Sequence, residues 1–284
     1  MVKAKALVKN LSSSPSGCIG LALVLLVLVV AVFAPYIANH SPNQMTLQDR
    51  LVEPGSKDSD GEAYYLGTDS LGRDVFSRLV YGTRLSLIVG LGGMVISLVI
   101  GCLIGLVAGY TGGIVETILM RVTDVFLAFP FVLMALILLS ALGGGVVTII
   151  IVLGMVNWTN YARVVRAETM AVKQREFVEA SHAIGNGNMF IILKHILPNV
   201  VAPIIVVSTF NIATNILAEA SLSFLGLGVD PSIPSWGTML AESRENLRNC
   251  PWCATYPGLA IMCCVLAINL LGDWLRDYLD PKLK

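Results

Sequence analysis

The chain has 284 residues, 55% of them hydrophobic and only 13% charged, and its mean hydropathy is +0.76. A water-soluble domain carries about a quarter of its residues as charges. The composition therefore excludes a soluble enzyme, and its hydrophobicity excludes intrinsic disorder. Nineteen basic residues balance nineteen acidic ones, so no net basic field recruits nucleic acid. What charge there is informs through its placement.

Crossing about 30 Å of hydrocarbon takes roughly 20 helical residues. In chain order, six runs meet or approach that length: 18–37, 85–109, 125–142, 146–156, 200–220 and 256–275. The third is preceded by Glu116, Arg121 and Asp124, placed at the membrane boundary, where Arg121 and Asp124 stand three apart and are expected to pair. The fourth is short and is expected to continue through Asn157, Trp158 and Tyr161. Alternating strand patterns of the barrel type are absent, and only helices otherwise satisfy their own backbone in lipid. The fold class expected is all-α, with six transmembrane helices.

The first run follows Lys3, Lys5 and Lys9 and could be a cleaved signal peptide or a retained anchor. About 20 apolar residues exceed a usual signal core, and Pro35 after the small residue Ala34 disfavours cleavage, so an anchor is expected. With the N-terminus inside, twelve basic residues fall on the inner side and seven outside, which orients both termini inward. Two polar excursions result. The outer one, about 39–84, is rich in Pro, Gly, Asp and Ser; the inner one, about 161–199, should be mostly helical. The expected organisation is an N-terminal tail, anchor and loop over 1–84, then a five-helix core over 85–284.

Several chemistries are missing. No Gly-rich phosphate loop of the G-x-x-x-x-G-K-[ST] type occurs. His40, His182 and His195 form no H-E-x-x-H pair, so no metal site is expected and no catalytic residue is assigned. The run from Gly143 to Gly145 suits a tight turn between two spans. Cys250 and Cys253 form a C-x-x-C on the outer side. The pair could be a redox or metal pair, or two small apolar residues opening the last helix, and without a second C-x-x-C the latter is preferred.

The inner excursion holds a short helix with small residues, stopped by Gly185, with Gly187 beyond it and a further helix entering the membrane at Pro198. Small side chains on an exposed helix let another protein's groove approach closely, and the segment is long for mere connection. In the fifth span Ser208, Asn211, Asn215 and Glu219 recur every three or four residues and share one helical face. Such a stripe lines a translocation path or the seam with a partner subunit, or else bonds helices of the chain together. In the outer loop, Asp69, Arg73 and Asp74 are candidate contacts for an external partner.

Here the sequence resembles a known family. Glu179-Ala180-Ser181-x-x-x-Gly185 followed by Leu197-Pro198 is similar to the E-A-A-x-x-x-G…L-P loop of type I ABC importer permeases. The stretch from Leu66 to Asp74, then Ser86-Leu87, resembles the segment before the second helix of C-type permeases of dipeptide, oligopeptide and nickel importers. Ala220 to Gly228, Pro234-Ser235-Trp236-Gly237 and the ending from Asn269 to Asp277 match the same subfamily, so the likeness spans the chain. Ser181 replaces the usual second Ala, Gly187 loosens the turn, and Cys250 and Cys253 stand where apolar residues are usual.

The resemblance implies a type I importer permease fold in the plasma (inner) membrane of a bacterium or archaeon. It implies a heterodimer with a B-type permease, two ATPase subunits that bind ATP and Mg, and an extracytoplasmic solute-binding protein. This chain would bind no cofactor itself. Glu176, Glu179, Ala180, Ser181, Gly185 and Gly187 would form the element that docks on an ATPase. The substrates implied are peptides, di- or oligopeptides first. A secondary transporter would need coupling-ion chemistry, and Glu219 is nearly alone as an intramembrane acid; a membrane enzyme would need catalytic groups that are missing.

Overall fold

The computed structural model describes residues 10–11, 14–58 and 61–279. Helix α1 (Pro15–Val32) is opened by Ser14, whose hydroxyl accepts the Gly17 N–H, and a short turn α2 (Ala34–Ile37) follows it. The outer loop carries a two-residue hairpin, β1 (Ser56–Lys57) with β2 (Ala63–Tyr64). Then come α3 (Val75–Thr111), α4 (Gly113–Ala128), α5 (Phe131–Leu142) and α6 (Val146–Lys173). Two short helices follow, α7 (Glu176–Ala183) and α8 (Asn188–Ile191). The latter continues through one π turn (Ile192–Ile196) into α9 (Leu197–Phe224). A short α10 (Trp236–Ser243) and a long α11 (Trp252–Leu279) complete the chain.

Among the described residues five helical rods are long and apolar enough to cross a membrane, counting Asn188–Phe224 as one. A sixth span would have to be made by α4 and α5 together, and these are bent by 92°. The third expected span, 125–142, is therefore no straight helix. Pro130 lacks an N–H and forces Phe129 into extended backbone at φ −86°, ψ 133°, which ends α4. The inner excursion expected at about 161–199 is, as expected, mostly helical. Helix α6 runs on to Lys173, and only residues 174–175 and 184–187 interrupt the helices there. The π turn sits just before Pro198, where the ladder has to accommodate a missing donor.

Close packing is set by glycines where backbones touch. Gly101, Gly105 and Gly109 recur every fourth residue on α3, and a Cβ on Gly105 would lie 2.7 Å from the Ala162 carbonyl of α6. Small residues at that spacing let two membrane helices approach without side chains between them. On the other flank, Gly17 of α1 seats Trp274 and Gly20 seats the backbone of Leu271, so α1 packs on α11 as a bundle helix.

Candidate functional site

Three polar regions could carry function: the inner helix α7, the stripe on α9, and the outer rim. Helix α7 lies against the inner end of the bundle through Val178, fully buried, and Ser181, 4% exposed. Its other face is open: Glu176, Phe177, Glu179 and Ala180 are exposed, as are Ile184, Gly185, Gly187 and Met189 beyond it. Gly185 adopts φ +87°, the left-handed geometry that ends the helix with its N–H on the His182 carbonyl. Ser181, expected to meet a partner, is turned inward instead, and its hydroxyl accepts a hydrogen bond from Asn186 Nδ2 at 3.0 Å.

The anchor of this helix is Tyr110, the penultimate residue of α3. Its hydroxyl lies 2.9 Å from Asn188 Oδ1 and 3.2 Å from His182 Nε2, while Lys173 Nζ donates to its carbonyl at 2.6 Å. Neither Tyr110 nor Asn188 stood out in the sequence. A tyrosine ending an apolar helix looks like a membrane-interface anchor, and only the fold brings Asn188 to it. Nearby, Arg166 Nε donates to Glu116 at 2.6 Å and Arg163 to Asp124 at 2.8 Å, tying α4 to α6. The expected Arg121–Asp124 pair does not form. Asp124 is taken by Arg163 from the neighbouring helix, and Arg121 is exposed.

The α9 stripe faces the inside of this chain. Asn215, fully buried, accepts from Asn157 Nδ2 at 2.8 Å and donates to the Gly90 carbonyl and to Asn211 Oδ1, joining α9 to α6 and α3. Ser208 accepts from the Tyr161 hydroxyl at 3.1 Å. Glu219 stands apart at the far end. Its Oε1 accepts from Ser223 and from Ser235, the residue that caps α10, and its Oε2 has no hydrogen-bond partner among the described residues.

On the outer rim, Asp69, Arg73 and Asp74 are 8%, 2% and 2% exposed. Arg73 Nε binds Asp69 at 2.6 Å, and Arg73 and Arg78 both reach Glu242 of α10, at 2.7 and 2.9 Å. Asp74 caps α3, accepting from the Phe76 and Ser77 amides. The three residues expected to contact an outside partner are thus occupied within the chain, because the loop folds back on α3 and α10. Nearby, Tyr64 donates to Asp49 at 3.1 Å, and burial together with that bond raises its phenol pKa to about 12. Cys250 and Cys253, read as two apolar residues, are joined as a disulfide. Among the described residues no group of three or more His, Cys, Asp or Glu side chains is arranged to hold a metal.

The architecture is a helical bundle with a buried polar seam and one exposed short helix. The solved inward-facing methionine transporter MetNI shares it: two crystal forms superpose with TM-scores of 0.58 and 0.59 at 20% and 21% identity, covering 72% of this chain and 96% and 97% of theirs. Residues 101–284 match the model for binding-protein-dependent transport system inner membrane components, and residues 6–54 match that for the N-terminal transmembrane domain of oligopeptide transport permease C. The chain is 44% identical to the di/tripeptide transport system permease protein DppC of Pseudomonas aeruginosa over 93% of its length and 88% of that protein's. It is 41% identical to the glutathione transport system permease protein GsiD of Pectobacterium atrosepticum, covering 92% and 85%.

This chain belongs to the family of binding-protein-dependent transport system inner membrane components. It is a permease subunit of an ABC importer with the type I fold, a multi-pass inner-membrane protein, and ATP hydrolysis belongs to separate subunits.

Proposed function

We propose that the chain forms half of the translocation path of a peptide importer, with di- and oligopeptides as substrates. Support comes from the relatives named for dipeptide, di/tripeptide and glutathione transport. Its partners in this reading are a B-type permease, two ATPases that hold ATP and Mg, and an external solute-binding protein. Both termini lie in the cytoplasm, and the N-terminal 1–84 segment is an appendage to the core from 85 onward. The lysines that support this orientation at the ends, Lys3, Lys5, Lys9, Lys282 and Lys284, lie outside the described residues.

The observation that carries the mechanism is the exposed apolar and acidic face of α7, held at its back by Tyr110. Glu176 and Glu179 supply charge to an ATPase groove, Ala180 lets the groove approach, and Gly185 and Gly187 shape the turn. Ser181 braces the helix from behind. ATP-driven closure of the ATPases then moves α7 as a rigid body, because its contacts must differ between the two states for ATP to shift them. Ser208, Asn211 and Asn215 weld α9 to its neighbours inside the chain in this reading, and do not line the path. The test is assembly with the ATPases. Glu179→Lys or Gly185→Pro should abolish co-purification and transport-coupled hydrolysis; stable assembly and full coupling in both variants would refute the mechanism.

A further inference from the structure

Cys250 and Cys253 flank the entry to α11 and are 0% and 6% exposed. Both sulfurs rest on one backbone oxygen, that of Thr68 in the outer loop, at 3.6 and 3.5 Å, and Trp252 Nε1 donates to the same oxygen at 3.3 Å. Thr68 ties two stretches of that loop together. Its amide donates to the Val52 carbonyl and its hydroxyl accepts from the Val52 amide. The next residue, Asp69, binds Arg73, which with Arg78 holds Glu242 of α10. A chain of direct contacts therefore runs from the sulfur pair through Thr68 and Asp69 to α10. Cys253, Asp69, Arg78 and Glu242 also line one cavity of about 20 Å³, space for a single water.

We propose that Cys250 and Cys253 are a redox-responsive staple that seats the Thr68 turn and, through it, α10. Chemistry makes the carbonyl a reader of the sulfur state. In the disulfide neither sulfur carries a proton, and Trp252 is the one donor of the three. Reduction places two S–H groups against the same oxygen and parts the sulfurs to van der Waals distance, in a site already packed by Val75 and Met239. The bond forms by exchange with a disulfide donor of the extracytoplasmic compartment, an oxidoreductase of the dithiol/disulfide class. One cysteine thiolate attacks the donor disulfide and releases one donor thiol; the second cysteine attacks the mixed disulfide and releases the other. Two electrons pass to the donor, the two protons leave the protein thiols, and the donor ends as a dithiol. Because the pair is buried, exchange with the donor, and likewise with a small reductant, proceeds through local opening of the outer loop. The inference rests on the outer placement proposed above.

The experiment uses the importer assembled with its partner subunits in nanodiscs. Alkylation in denaturant without reductant, read by mass spectrometry, should modify Cys18, Cys102, Cys263 and Cys264 and leave Cys250 and Cys253 linked. Tris(2-carboxyethyl)phosphine should then raise the rate of protease cleavage within residues 66–74 by about tenfold, as local opening becomes easier. A Cys250→Ser/Cys253→Ser variant should be cleaved at that faster rate with or without reductant. Free thiols at both positions in the untreated protein, or cleavage indifferent to reductant, would overturn the proposal. Labelling of Lys57→Cys by an impermeant maleimide in intact cells separates the failures: labelling with free Cys250 and Cys253 condemns the staple alone, and no labelling condemns the outer placement and the staple with it.

Discussion

The outer rim and the inner face of this permease use charge in opposite ways. On the rim, Asp69, Arg73 and Arg78 are buried and pair with one another and with half-buried Glu242. On the inner face, Glu176 and Glu179 stand in solvent beside exposed Phe177, Ile184 and Met189. Charges paired inside one chain hold that chain's own shape, while charges left open beside apolar side chains await another surface. The contrast predicts that rim substitutions act on stability and inner-face substitutions on coupling.

The largest effect should come from breaking the rim. Glu242→Ala leaves Arg73 with Asp69 alone and takes from the 1%-exposed Arg78 its close carboxylate partner, with Asp69 no nearer than 3.8 Å. It should cost about 3 kcal/mol, seen as a lower unfolding temperature of the purified chain. Next is the α3–α6 contact: Gly105→Ala puts a methyl against the Ala162 carbonyl and should cost about 1–3 kcal/mol in the same assay. Tyr110→Phe removes the hydroxyl from Asn188 and His182 and should cost about 1 kcal/mol, while making α7 more accessible to protease. Glu179→Lys, at an exposed position, should change stability by no more than about 0.5 kcal/mol and yet uncouple hydrolysis from transport. A rim variant that spared stability, or an inner variant that lost it, would dissolve the contrast.

A small pH effect sharpens the rim side. The Tyr64 phenol is raised from 10.0 to about 12 by burial and its bond to Asp49. A raised folded-state value means that the protonated form is the one stabilised. That contribution is complete below pH 10 and fades as pH rises toward about 12. Comparison of unfolding temperatures with Tyr64→Phe across that window should show a difference that shrinks with rising pH.

Much of this architecture could be read from the chain because lipid imposes long apolar runs, and because the loop motif around Glu179 and Gly185 is distinctive in residue type and spacing. The break at Pro130 was harder: the runs on either side are both apolar, so hydropathy joins what proline chemistry separates. The rim misled for a different reason. Asp69, Arg73 and Asp74 lie in a polar, turn-rich stretch that composition marks as exposed, and the Glu242 that Arg73 binds is 169 residues away. Long-range pairing leaves no local signature. The stripe on α9 was visible as a face, but which surface it met depended on Asn157 and Gly90, which periodicity on α9 alone cannot supply.

The contrast between the two faces is tested most directly by amide hydrogen exchange on this chain alone and assembled with its ATPases. The account predicts that amides over 176–190 gain protection on assembly while those over 67–78 are already protected and stay unchanged. Unchanged exchange over 176–190, with protection appearing instead over 67–78, would contradict it.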